Sequence, residues 1–522
     1  MLADIRTVFA TSFGFYNYHK MKDLRTITHT ITDRYWGILV LLAWGAGLLF
    51  FGLIRFEPYG LDEGAARGLI LNWSIADGVL NPIVTLGIPD FRALLFIPLG
   101  LYWSGSIIAA KVYTMLLAFL AVTLLYHWNM KHADRESAII GCALLLVLPL
   151  FINQIDAIAI GIYLLLTFGV ALSIDNRYRK IKRPLGGWYF IQLLWVGLTI
   201  TMHPMGLAYP LALAWRWHKD PIDERQKQHL YIGLVLVVGT ILIMRGGWQN
   251  VDWLVNPLLS LSQAFQAITH VTGSPNWFLG GIFAIALVYI LWRDRRFLLS
   301  NLLGSILLFA IVIGLSAAES SWALLVITLV FLRGAYHLLR FNQAIGQVGL
   351  LRTRGIVIGM IFVISTASMI MDKNRIRAIT ELQVSQQDKL IRSLAQAAED
   401  PDIPFQIASQ WPGRTMIASK RHTFPLPPAE GKNSEEFLES ITGITHLIFD
   451  PYDPDNEALA RQIAVLAGYT KTAELNAEGV IVEVIPQRID HAEGESGEPA
   501  TTDKPAQPST PSRNTSGEDQ TS

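Results

Sequence analysis

Two adjacent carboxylates, Asp62 and Glu63, stand in the segment RFEPYGLDEGAARG, a few residues after a long apolar block. A carboxylate within hydrogen-bond reach of a hydroxyl can remove its proton, and such a base contributes about 10²–10⁴-fold to a transfer reaction. Two neighbouring acids can also hold a cation, or shift one another's pKa through like-charge proximity. The pair equally suits the first turn of a solvated helix, where acids favour the helix dipole. Basic groups able to meet an anionic substrate are Arg67, Arg92 and Lys111, with His203 behind them. Arg67 lies four residues after Glu63, which is also the spacing of a simple ion pair on one helix face. Lys111 sits near the start of an apolar block, where a lysine also snorkels to the interface. His203 adjoins Pro204 and suits a polar group in a helix break. Asp156 is a further acid at the edge of an apolar block, a costly place unless it is paired or used.

These residues belong to a chain of 522 residues, 52% hydrophobic and only 16% charged. A soluble chain carries about 25% charged residues. The apolar residues gather in blocks up to residue 371, and a bilayer-spanning helix needs about 20 of them. The blocks predict eleven spans, at 36–54, 106–126, 138–152, 157–174, 188–202, 204–217, 230–244, 278–292, 297–317, 321–339 and 355–371. Their side assignment follows from Lys and Arg, which concentrate on the cytoplasmic face. With the N-terminus inside, the inner segments carry 23 Lys and Arg and the outer loops before residue 372 carry 4. The same count excludes a span at 93–104, because one there would move the run RYRKIKR outside. That stretch, ALLFIPLGLYWS, is expected to lie along the outer membrane surface. The first span is expected to be an uncleaved anchor.

The expected organisation is a membrane domain at 1–371, whose outer loop 55–105 carries the acidic pair, then an extracytoplasmic α/β domain at 372–490. Within the latter the pattern predicts helices near 375–398, 434–441 and 456–467, and strands at 415–419, 445–450 and 479–485. Residues 491–522 are rich in Ser, Thr, Pro, Gly and acids, a composition that stays disordered. Cys142 is the single cysteine, so no disulfide or CxxC metal site is available. There is no P-loop and no GxGxxG followed by an acid, so no nucleotide cofactor is expected. His270 in the second outer loop has no sequence neighbour to make a ligand pair.

The outer loop in order carries more than its charges. It runs span, short loop, Asp62-Glu63, a helix ending at Asp77-Gly78, a turn-rich stretch to Gly87-Ile88-Pro89, the surface helix LLFIPLGLYWSG, and the span opening SIIAAKVYTMLLAF. This order resembles the start of the GT-C membrane glycosyltransferases, in particular the protein O-mannosyltransferase and aminoarabinose transferase family (family 39-like). Lys111 stands where that family has Arg, and Asp156 in INQIDAIAIGIYLL stands where it has an acid opening span four. The family's Leu-Thr-Lys-Gly-Pro is matched by LTITMHPMGLAYPL at Thr201 and Pro204, with Met202 and His203 replacing Lys and Gly. In AAESSWALLVITL, Glu319 stands where the family often has a basic residue. The resemblance is good over 36–215 and loose beyond.

The resemblance implies transfer of a sugar from a polyprenyl-phosphate donor to an extracytoplasmic lipid, glycan or protein, in a bacterial inner membrane. On that reading Asp62 is the general base. Glu63 and Asp156 orient the acceptor, hold a cation or tune the base, and Lys111, Arg67, Arg92 and His203 meet the lipid phosphate. Some relatives use a divalent cation with carboxylates, so one is an open possibility here; nucleic acid is not an expected partner. Two other classes stay open. A transporter or flippase predicts paired broken spans in two halves, against one visible break at His203–Pro204. A catalytically silent assembly subunit fits the departures at Met202, His203 and Glu319.

Overall fold

The computed structural model describes residues 61–77, 90–133, 135–146, 148–181, 186–244, 257–269, 277–316, 320–345 and 406–484, the last with short gaps, and a few isolated positions. The spans expected at 36–54 and 355–371, the helix near 375–398 and the tail 491–522 fall outside them apart from single residues, as do Glu319 and His270.

The helical part begins with α1 (Glu63–Asp77), against which α2 (Arg92–Leu95) and α3 (Ile97–Tyr102) pack. Contact is close because the facing positions are small. A Cβ at Gly68 would stand 3.1 Å from the Phe96 ring, and one at Gly100 would stand 2.6 Å from the Asn72 carbonyl oxygen. Asn72 donates its amide to the carbonyl of Ala93, 2.7 Å away, tying α1 to α2. The surface helix expected at 93–104 is therefore two short helices. Leu94, Ile97, Leu101, Tyr102 and Trp103 are exposed along them, an apolar stripe that suits the lipid interface.

Next come α4 (Ile107–His132), α5 (Arg135–Leu146), α6 (Pro149–Asp156), α7 (Ile160–Ile181), α8 (Gly187–Met202), α9 (Ala208–Lys219) and α10 (Glu224–Met244). The span expected at 138–152 is broken. Pro149 has no amide hydrogen to donate into a continuing helix, so α5 ends at Leu146 and α6 starts afresh. The span expected to start at 157 starts later: residues 157–159 form a turn and α7 runs on to Ile181. The break at Pro204 is a 3-10 turn, Pro204–Leu207. Gly206 permits it, since a Cβ there would fall 1.9 Å from the Thr199 carbonyl oxygen.

The helical part closes with α11 (Pro257–Thr269), α12 (Trp277–Arg293), α13 (Arg295–Ser300), α14 (Leu302–Ile313) and α15 (Ser320–Ile345). Among the described residues four helices are long and apolar enough to cross a membrane, over Ile107–His132, Ile160–Arg179, Glu224–Ile243 and Ser320–Arg340. The α5–α6 pair makes a fifth if it is one bent span, and Gly187–Met202, Gly280–Arg293 and Leu302–Ile313 are shorter apolar helices. The chain is a multi-pass membrane protein, with a continuous apolar core shared by α4 to α15.

Segments that the charge count assigns to one side do meet. Asp175 of α7 pairs with Arg216 of α9 at 2.8 Å, and Arg179 pairs with Asp220 at 2.8 Å. Asp294 binds Arg333 and His337 of α15 at 2.6 and 2.9 Å. The His132 ring at the end of α4 bonds the Asn301 amide at 2.9 Å.

The C-terminal part is a small α/β domain: β1 (Ile407–Ser409), α16 (Pro412–Ser419), β2 (Thr423–Pro425), α17 (Ser434–Ser440), β3 (His446–Phe449), α18 (Glu457–Val465), β4 (Thr470–Asn476) and β5 (Gly479–Val484). The sheet order is β2-β1-β3-β5-β4, with β1 parallel to β2 and β3 and the other pairs antiparallel. Strand alternation divides the core: Ala408, Leu447 and Phe449 bury on one face with Phe437 and Leu459, and Ile407 and Ile448 on the other with Leu390 and Ile391. The strand expected at 415–419 is instead the last turns of α16. Pro412 and Gly413 open that helix at its first positions, and Thr415 and Met416 bury as one helical face.

Candidate functional site

Asp62 immediately precedes α1 and caps it, accepting the Ala65 amide at 3.2 Å. Its own amide donates to the Ala157 carbonyl at 2.8 Å, in the turn between α6 and α7. Arg92, at the start of α2, lies against the Asp62 carboxylate through Nη1. Its Nη2 reaches Asp90 at 2.6 Å, and Nη1 also donates to the Ile158 carbonyl at 3.1 Å. The arginine is buried, while the Asp62 side chain keeps about a third of its surface open, at 34%. Burial disfavours the guanidinium charge, but Asp62 and Asp90 outweigh it and hold Arg92 protonated above its usual range. The turn it clasps is strained: Ile158 has φ +56°, a region β-branched residues rarely enter.

Residue 156 sits beside that turn. Asp156, the last residue of α6, accepts the Lys111 ammonium at 2.6 Å, and both side chains are removed from solvent. One turn along α4, Thr114 bonds the Tyr163 hydroxyl of α7 at 2.7 Å. Tyr163 stacks edge-on against Phe96, with ring centres 5.9 Å apart. The turn 157–159 thus joins the acid–arginine cluster of the outer loop to the buried lysine–aspartate pair.

Glu63 faces elsewhere. Its carboxylate accepts the backbone amides of Gly413 at 2.6 Å and Arg414 at 3.3 Å, at the start of α16. Arg67 donates its Nε to the same carboxylate at 3.0 Å, the i,i+4 pair its spacing allows. Burial raises the Glu63 pKa, and the Gly413 amide and Arg67 draw it part of the way back. His203 serves the helix break, its Nδ1 accepting the Met205 amide at 3.2 Å.

Among the expected site residues, the structure brings Asp62 to Arg92, Lys111 to Asp156, and Glu63 to Arg67. Sequence reasoning missed Asp90 and Gly413. Asp90 had one signal, an acid two residues before a basic residue at the end of a turn. Gly413 had none. Among the described residues no group of three or more His, Cys, Asp and Glu is placed to hold a metal ion.

No family model matches the sequence, and no curated protein does. Solved structures do resemble the fold. ArnT from Cupriavidus metallidurans in the apo state is 11% identical, with TM-score 0.51, covering 86% of this chain and 98% of that one. The same protein bound to undecaprenyl phosphate gives TM-score 0.50 at 12% identity over the same shares. The Archaeoglobus fulgidus oligosaccharyltransferase, complexed with zinc and sulfate, gives TM-score 0.50 at 13% identity, covering 83% of this chain and 71% of that one. At such identities the likeness speaks for architecture alone, and the chain has the fold of the GT-C membrane glycosyltransferases.

Proposed function

We propose that this protein transfers a sugar from a polyprenyl-phosphate donor to an acceptor hydroxyl at the outer face of a bacterial inner membrane, with its N-terminus in the cytoplasm. The observation that carries the reading is the Asp62–Arg92 pair, a part-open carboxylate against a buried guanidinium, at one end of a GT-C fold. The acceptor oxygen attacks the anomeric carbon, its proton passes to Asp62, and the bond to the phosphate oxygen breaks with its electron pair leaving on the lipid phosphate. In this reading Arg92 meets that phosphate, and its shift toward the donor loosens its hold on Asp62 as the base is needed. Lys111 and Asp156 fix the turn that carries Ala157 and Ile158. Arg67 and His203 line the approach in this reading, and the exposed apolar stripe of α2 and α3 guides the prenyl chain.

The second reading is a catalytically silent GT-C-like subunit. Its support is that capping α1 and pairing with Arg92 already give Asp62 a structural use. Purified protein in liposomes, supplied with polyprenyl-phosphate sugars and membrane extract, separates the two by mass spectrometry of the products. Asp62→Asn is expected to lower transfer by about 10²-fold or more while insertion and folding persist. Undiminished transfer by that variant rules out Asp62 as the base. The acceptor is a lipid, a glycan or a protein, and the spectrum names it.

A further inference from the structure

We propose that Glu63 is a positioning residue that pins the C-terminal α/β domain onto the loop helix carrying Asp62, making that domain a wall of the site. Three observations on different atoms carry this. The Glu63 carboxylate caps α16 from outside, taking the amides of Gly413 and Arg414, first-turn donors that the helix itself leaves unpartnered. Gly413 lets the backbones close up, since a Cβ there would stand 2.9 Å from Glu63 Oε1 and 3.0 Å from the Arg67 amide nitrogen. One further turn along α16, Ile417 packs against the apolar cluster that α1 shares with the membrane helices. The contact joins residues 350 positions apart, so it fixes a whole domain. Arg67 belongs to the same device, holding the carboxylate from behind at 3.0 Å.

The position of α16 follows from the fold of the domain. β1 lies between β2 and β3, both parallel to it, and the chain leaves its carboxyl end directly into α16. In open parallel sheets the crevice at such a reversal of strand order is where ligands settle. Here the occupant is a carboxylate of the same chain. Asp62 is the preceding residue, so the domain sits next to the candidate base.

The docking half is independent of the transferase reading; the claim that docking shapes catalysis rests on it. Hydrogen exchange of the full chain in lipid nanodiscs tests the first half. E63A and G413V, which break the contact from opposite sides, are expected to exchange the α16 amides about tenfold faster, with β1 and β3 still protected. E63Q keeps an acceptor oxygen and is expected to retain the protection, and D62N to leave it untouched. Unchanged exchange in both E63A and G413V overturns the docking. In the transfer assay, E63A and G413V are expected to raise the acceptor KM more than they lower kcat, with E63Q restoring both. An E63Q enzyme that stays docked yet is as inactive as D62N overturns the positioning role and assigns Glu63 to the chemistry. A wild-type protein without transfer activity rejects the transferase reading, and the exchange data still decide the docking.

Discussion

The Lys111 ammonium lies 2.6 Å from the Asp156 carboxylate, and neither side chain is more than 4% exposed. Away from water such a pair is held by its own attraction, and removing one partner strands the other charge. K111M or D156L alone is therefore expected to destabilise the protein by about 3–5 kcal/mol, read as a fall in Tm in detergent. The double variant K111M/D156L, which removes both charges of the pair, is expected to recover part of that loss. If the two single losses simply add in the double variant, the pair does not couple and the turn at 157–159 is held by other contacts.

Arg92 makes its bonds through a planar fork: Nη2 meets Asp90, and Nη1 meets both Asp62 and the Ile158 carbonyl. A lysine keeps the charge and loses that geometry. R92K is expected to lose transfer nearly as fully as R92A while retaining more stability, because the charge still faces Asp62 and Asp90. Parallel measurement of turnover and thermal unfolding checks this. An R92K enzyme with wild-type turnover excludes the forked contact as a catalytic requirement.

These two clusters show how far the sequence could be read. Asp62, Arg92, Lys111 and Asp156 each stood out because a charge near or within apolar sequence has few uses. The order of the outer loop then pointed to the fold. Their pairing did not stand out, because Lys111 and Asp156 are 45 residues apart and Arg92 meets Ile158 across 66; no periodicity encodes either distance. Asp90 was hidden for the opposite reason, lying in a turn-rich stretch where acids are ordinary. In the C-terminal domain the β-branched Thr415 and Ile417 mimicked a strand, while Pro412 and Gly413 had already committed the chain to a helix. The true strand Ile407–Ser409 spans three residues, too few for an alternating pattern to show.

The helix break at His203–Pro204 depends on a glycine. A Cβ at Gly206 would fall 1.9 Å from the Thr199 oxygen and 2.4 Å from its carbonyl carbon, both backbone atoms that cannot swing aside. G206A is expected to cost about 3 kcal/mol or more and to separate α8 from α9. H203A, which removes the Nδ1 acceptor for the Met205 amide, is expected to cost about 1 kcal/mol. Thermal unfolding of both in the same detergent orders them. A G206A protein as stable as H203A means that α8 can shift to admit the methyl group.

The buried Glu63 carboxyl gives domain docking a pH dependence whose sign is fixed by the direction of its shift. Burial raises its pKa above the ordinary value of 4.5, and the amide of Gly413 and the Arg67 side chain lower it only in part. The docked state therefore holds the proton more tightly than the undocked one. By linkage, the contribution of this group to docking is complete below 4.5 and is lost as pH rises through the docked-state value. A quarter of the side chain remains open, at 25%, so solvent screening keeps the effect modest. Hydrogen exchange of the α16 amides, corrected for the intrinsic pH dependence of exchange, is expected to show protection falling as pH rises from 4.5 toward neutrality in the wild type. The E63Q protein has no proton to lose there and is expected to show a flat profile. Equal slopes in the two proteins would mean that another group controls the docking.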